Sequence, residues 1–176
     1  MFVEFSLDRS ARMDSLLIQF RDNDRAHDDL HVWIEGYSRT TDSYYLALDG
    51  AMLAGDKSSD KVRRVLIRLL ERWMEALQQA TLIRPAYLPF DFSDEYTGCF
   101  QCRPDGEFIE IVAGWSSREG WSFWPSDSGD YFFGVTDFKS DAPAPIQLSR
   151  EEFLRRIRES IADTESQIRA AHESSR

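Results

Sequence analysis

Val62, Val65, Leu66, Leu69, Leu70, Trp73 and Leu77 recur at i, i+3, i+4, i+7, i+8, i+11 and i+15, one apolar stripe along a helix. A stripe of that length must be covered, and no helical period precedes it, so it must lie on a sheet. Ser58 or Ser59 can cap its first turn, and Pro85 forbids much continuation beyond Arg84. The spacing predicts a helix over about residues 59–83.

Short runs rich in β-branched and aromatic residues supply the sheet. Residues 2–5, 15–20, 30–34 and 44–48 alternate as strands do, separated by polar clusters such as Arg21-Asp22-Asn23-Asp24. They predict three or four strands of an antiparallel meander. Beyond the helix, residues 96–102 and 107–115 flank Arg103-Pro104-Asp105-Gly106, where proline presets one turn angle and glycine supplies a positive one. Residues 121–124 and 131–135 predict further strands joined by the polar tip Ser126-Asp127-Ser128-Gly129. A last helix, over about 150–170, opens on a capping box of Ser149 and Glu152, with Leu148 and Phe153 placed for a hydrophobic staple. Residues 171–176 read as a flexible tail. The order describes an α+β fold, a single domain over residues 1–170 with two amphipathic helices on a mostly antiparallel sheet.

Composition agrees with one core. A chain of 176 residues buries roughly 70% of its unfolded surface, and 12 Phe, 6 Tyr and 5 Trp exclude disorder. No apolar run is long enough to span a bilayer, and the N-terminal peptide does not read as a signal, so the expected compartment is cytoplasmic. The net charge of −10 argues against nucleic acid and for a basic partner. That charge is uneven. Residues 1–60 carry 12 acids against 6 bases, residues 85–141 carry 11 against 3, and residues 61–84 reverse the sign with 2 against 6. The first helix is expected to present Lys61, Arg64, Arg68 and Arg72 on its outer side.

Catalytic and metal chemistry find little support. His27 and His31, with Cys99 and Cys102, make up the ligand set of a structural zinc, but i and i+3 on a strand point to opposite faces. No G-x-S-x-G, H-E-x-x-H or G-x-x-x-x-G-K is present. No catalytic residue, metal or cofactor is therefore expected.

Two segments stand out. In Leu88-Pro89-Phe90-Asp91-Phe92-Ser93-Asp94-Glu95-Tyr96, three readings are open: a loop that bonds its own backbone, an acidic loop facing a partner, or a carboxylate pair. The aromatic segment Trp115, Trp121, Phe123, Trp124, Tyr131, Phe132 and Phe133 buries about half its rings if it alternates on strands. Exposed tryptophans beside acids suit a protein hot spot or a sugar platform.

The meander, the Arg-bearing helix ending near Arg84-Pro85, the Leu88-Pro89-Phe90-Asp91 loop, the aromatic hairpins and the capped last helix resemble, in layout and charge, the bacterial immunity proteins. Those proteins neutralise polymorphic or contact-dependent toxins. The resemblance implies binding without catalysis to a cognate toxin encoded nearby. With the charge and the exposed aromatics read as a binding face, the expected site is Asp91, Asp94, Glu95, Asp127 and Asp130 against a basic protein such as a toxin domain, with Trp121 or Trp124 as apolar anchor. The rival is a small enzyme or carbohydrate-binding module built on the 115–133 segment and nearby carboxylates.

Overall fold

The computed structural model describes residues 16–141 and 143–174. Among them the order is β1 (Ile18–Phe20), β2 (Leu30–Ile34), β3 (Tyr37–Thr41), α1 (Tyr44–Leu48) and α2 (Ser59–Gln79). Then follow β4 (Ala86–Phe92), β5 (Thr97–Asp105), β6 (Phe108–Ser116), α3 (Tyr131–Gly134), β7 (Lys139–Ser140), β8 (Ile146–Ser149) and α4 (Arg150–Ser174). The fold is α+β. β1, β2 and β3 form one antiparallel sheet; β4, β5 and β6 form a second, in which β7 and β8 share the outer edge of β6.

The long helix follows its stripe. Ser58 Oγ accepts the Lys61 amide at 3.3 Å, and Val62, Val65, Leu66, Leu69, Leu70, Trp73 and Leu77 are buried. They face one side of the second sheet, where Leu88, Phe90, Phe100, Cys102, Ile109 and Ile111 join the same core. Trp73 meets Phe100 edge-on with ring centroids 6.3 Å apart. The helix stops at Gln79, short of residue 83, because Thr81 and Arg84 exchange backbone hydrogen bonds in a tight turn before Pro85. Lys61 is not on the outer side: only 1% of it is exposed.

α4 begins as the cap signal requires, with the Glu152 amide donating to Ser149 Oγ at 3.1 Å. Only half of the box forms, because the Glu152 carboxylate pairs instead with Arg155 at 2.7 Å and Arg156 at 2.8 Å. These hydrogen bonds hold its pKa down at about 2. The helix continues to Ser174, through residues 171–174 that were expected in a tail. Ser160 Oγ ties it to the first sheet by accepting the Leu17 and Ile18 amides at 2.9 and 3.2 Å.

The strand expectations fare unevenly. Residues 2–5 and 15 lie outside the described residues, and within 16–20 the strand is Ile18–Phe20. β2 has the expected bounds. β3 was not foreseen; it follows a two-residue turn in which Glu35 and Gly36 both have positive φ, +37° and +84°, the geometry of a tight hairpin. Residues 44–48 are helical, not a strand. Asp29 binds the Ser43 amide and hydroxyl at 2.8 and 2.7 Å at one end, and Asp49 takes the Ala51 and Met52 amides at the other. Those side chains give the backbone local partners that a ladder would otherwise supply. The Leu88–Asp91 stretch is not a loop but lies in β4, an edge strand, where Pro89 is tolerated beside a register break between Pro89 and Asp91. The β5–β6 hairpin forms with its turn at Gly106 and Glu107, two residues later than the proline signal suggests.

Candidate functional site

Between β6 and β7 the chain leaves the sheet and folds back against it. Residues 121–124 and 131–135, expected as strands, form instead a 3-10 turn over Gly120–Ser122, a turn closed by the Asp127 amide on the Trp124 carbonyl, and α3. β7 and β8 occupy the outer edge of β6, so these residues cannot extend the sheet beside the strand they leave.

Four anchors fix this excursion. The Thr97 hydroxyl donates to the Arg118 carbonyl at 2.7 Å. The Gly120 amide donates to the Ser93 carbonyl at 2.7 Å. A Cβ at Gly120 would stand 2.7 Å from the Ser93 nitrogen and 2.9 Å from Phe92 Cα, so this close approach requires glycine. Asp49, fully buried, accepts the Ser126 amide at 2.8 Å while its other oxygen holds the Ala51 and Met52 amides. Lastly, the buried Tyr131 hydroxyl meets Ser116 Oγ at 2.9 Å, and its ring stacks on Phe123 with centroids 4.8 Å apart. Burial pushes the Tyr131 phenol well above its ordinary pKa, so it stays protonated.

These anchors enclose a concavity of about 350 Å³ lined by Arg118, Trp121, Phe123, Trp124, Asp127 and Asp130, among others. Trp121 is 61% exposed and Trp124 44%. Trp124 lies over Gly50, where a Cβ would come within 3.0 Å of its ring. Arg118 places its guanidinium 5.0 Å from the Phe123 centroid and 5.6 Å from that of Tyr131, with Nε donating to Ser122 Oγ at 3.4 Å. Two exposed indoles and two exposed carboxylates thus share one hollow on a braced framework.

The other three expected site residues are not in its lining. Asp91 is 6% exposed and pairs with Arg39 at 2.6 Å, with the Tyr96 hydroxyl donating to it at 3.3 Å. Burial raises its pKa, with Arg39 opposing the shift. It is an internal ion pair, not a surface charge awaiting a partner. Asp94 is exposed and accepts from the Tyr45 hydroxyl; burial and that carboxylate push the Tyr45 phenol up to about 12. Glu95 is exposed, in a turn whose amides are held by Ser93 Oγ.

The would-be zinc ligands are apart in environment. Cys99 packs with Tyr131 and Val135 on one face of β5, whereas Cys102 belongs to the main core on the other. Burial pushes the Cys99 thiol up to about 12 and raises Cys102 well above its ordinary value. His27 faces Asp42 at 2.9 Å, which raises its pKa, and His31 stacks on Trp33. Among the described residues no group of three or more histidines, cysteines and acids is placed to hold a metal, and no helix is long and apolar enough to cross a membrane.

Sequence reasoning missed Asp49, Gly120, Arg118 and Arg39. Nothing in the sequence reports that the Asp49 carboxylate reaches the Ser126 amide.

Fold and site together define an α+β domain carrying a concave aromatic and acidic patch. Compared with known proteins, the chain matches no protein-family model, and neither the curated proteins nor the solved structures contain a significant match.

Proposed function

We propose that this chain is a non-catalytic, acidic protein-binding domain that acts in the cytoplasm and neutralises a basic partner by occluding its site, as an immunity protein does to a toxin. The observation that carries the reading is the exposed Trp121–Trp124 pair beside Asp127 and Asp130 in one concavity. Exposed indoles held by a rigid framework are the residues on which binding energy concentrates. The surrounding negative charge, −10 over the whole chain, speeds encounter with a cationic surface. The site is therefore narrower than the sequence suggested: Asp91 drops out, and Asp94 and Glu95 serve only as outlying charge.

The hollow shape and the Arg118 guanidinium favour a second reading, a carbohydrate-binding module. Its enzymatic form is weaker, because acid–base chemistry calls for a carboxyl with a raised pKa in the cavity. Among the described residues the carboxyl that burial raises is Asp91, which does not line it.

The test is affinity capture from the native cell with the parent chain and with a Trp121→Ala/Trp124→Ala variant. Kinetics of the captured protein are then measured as salt is varied. A basic protein lost by the double variant, with association slowed by salt, is expected. An acidic or salt-indifferent partner would contradict the proposal, and a glycan bound at the tryptophans would replace it with the second reading.

A further inference from the structure

We infer that the concavity receives one cationic side chain, lysine or arginine, projecting from the bound protein. This rests on the protein-binding reading and specifies the chemistry of its central contact. The incoming cation lies against the Trp121 and Trp124 rings and between the Asp127 and Asp130 carboxylates.

Three observations carry it. Aromatic faces attract cations through the ring quadrupole, tryptophan most strongly, and among the described residues no cation stands over Trp121 or Trp124 although both are exposed. The same wall already holds a cation of the chain's own. Arg118 sits over Phe123 and the buried Tyr131, at 5.0 and 5.6 Å, and not over the two exposed indoles. Asp127 and Asp130 have no ion-pair partner among the described residues and line the same hollow. Elsewhere on the chain, by contrast, Asp91 and Asp141 both pair with Arg39. A volume of about 350 Å³ lies at the small end for ligand pockets, which suits one long side chain better than an oligosaccharide.

Arg118 then acts against the incoming charge. It holds the inner rings and repels a second cation across a few ångströms. Removing its charge while keeping a polar side chain should strengthen binding, an effect opposite to that of losing an ordinary contact residue.

The probes are blocked pentapeptides, acetyl-Gly-Gly-Xaa-Gly-Gly-amide, with Xaa lysine, arginine or norleucine, titrated into the full chain. The readout is the indole N–H resonances of Trp121 and Trp124, assigned with single Trp→Phe variants. Lysine and arginine peptides should shift both resonances within about 20 mM, above the millimolar range expected of a one-residue contact, and norleucine should not. Asp127→Asn with Asp130→Asn should weaken binding by roughly fivefold or more, and Arg118→Gln should tighten it by roughly twofold or more. Equal shifts with norleucine, no shift with either cationic peptide, or weaker binding in Arg118→Gln would each overturn the inference. The two levels separate cleanly. A captured protein that depends on Trp121 and Trp124, with cationic peptides that do not bind, leaves the protein-binding reading standing and removes the cation pocket. Loss of both removes both.

Discussion

Two regions of the molecule set arginine, aromatic rings and aspartates side by side and put them to different use. Around Arg39, on β3, the guanidinium meets Asp91 at 2.6 Å and Asp141 at 3.1 Å and donates to the Tyr96 hydroxyl at 3.1 Å. Tyr96 in turn packs edge-on against Trp115, over which Lys139 lies at 4.7 Å. Both carboxylates there share one guanidinium of the chain's own, and the cluster joins the two sheets. Around Arg118 the cation stacks on rings with no ion-pair partner among the described residues, and Asp127 and Asp130 stay exposed beside exposed indoles. The same residue types make a rivet in one place and an open surface in the other. What separates them is whether the chain supplies the counter-charge itself.

Mutation should break the two regions differently. Arg39→Met strands the Asp91 carboxylate in the interior, so it should cost about 3–5 kcal/mol, toward the lower end because the Arg39 side chain is 29% exposed. Asp127→Asn with Asp130→Asn should stay within about 0.5 kcal/mol of the parent. Urea melts of the two variants check this, and equal costs would erase the distinction.

Gly120→Ala sharpens it from the framework side. The added methyl would meet backbone 2.7 Å away, so a cost of about 1–3 kcal/mol is expected, with partner affinity lost as the Trp121 turn shifts. A variant that melts and binds like the parent would show that the turn does not depend on this approach. Trp124→Ala should raise the partner's off-rate roughly tenfold and change the on-rate little, measurable by surface-binding kinetics.

The smallest effects are those of acid. Asp91 has a raised pKa in the folded chain, so its contribution to stability is present below its unfolded value and lost as pH rises through the folded one. Glu152, lowered to about 2, has the opposite sign: its contribution is present above about 4.5 and lost as pH falls toward 2. Asp91→Asn should therefore steepen the loss of stability on acidification and Glu152→Gln should flatten it. Urea midpoints between pH 2 and 6 test both signs, and slopes of the same sign would contradict them.

How much of this was legible depends on how local the cause is. α2 and α4 were readable because their stripes and caps lie within one segment, and β2 because its alternation is unbroken. Residues 44–48 and 131–134 misled because a short aromatic run fits a strand as well as one helical turn, and distant polar side chains decide between them. β4 was hidden by Pro89, which only an edge strand with a register break accommodates. In the site, Trp121, Trp124, Asp127 and Asp130 came together because one short excursion carries them all. Asp91 was misjudged because its partner, Arg39, is far along the chain and lies in a strand that shows no strong pattern.

The central claim is that exposed carboxylates around the indole hollow recruit a cationic protein surface. Association rates of the captured partner, measured from low to physiological salt with the parent and the Asp127→Asn/Asp130→Asn variant, test it most directly. Exposed charges are screened beyond about 8–10 Å at physiological ionic strength. The parent's on-rate should therefore fall steeply with salt, and the variant should start lower and fall less. Rates indifferent to salt, or identical in the two proteins, would contradict the account.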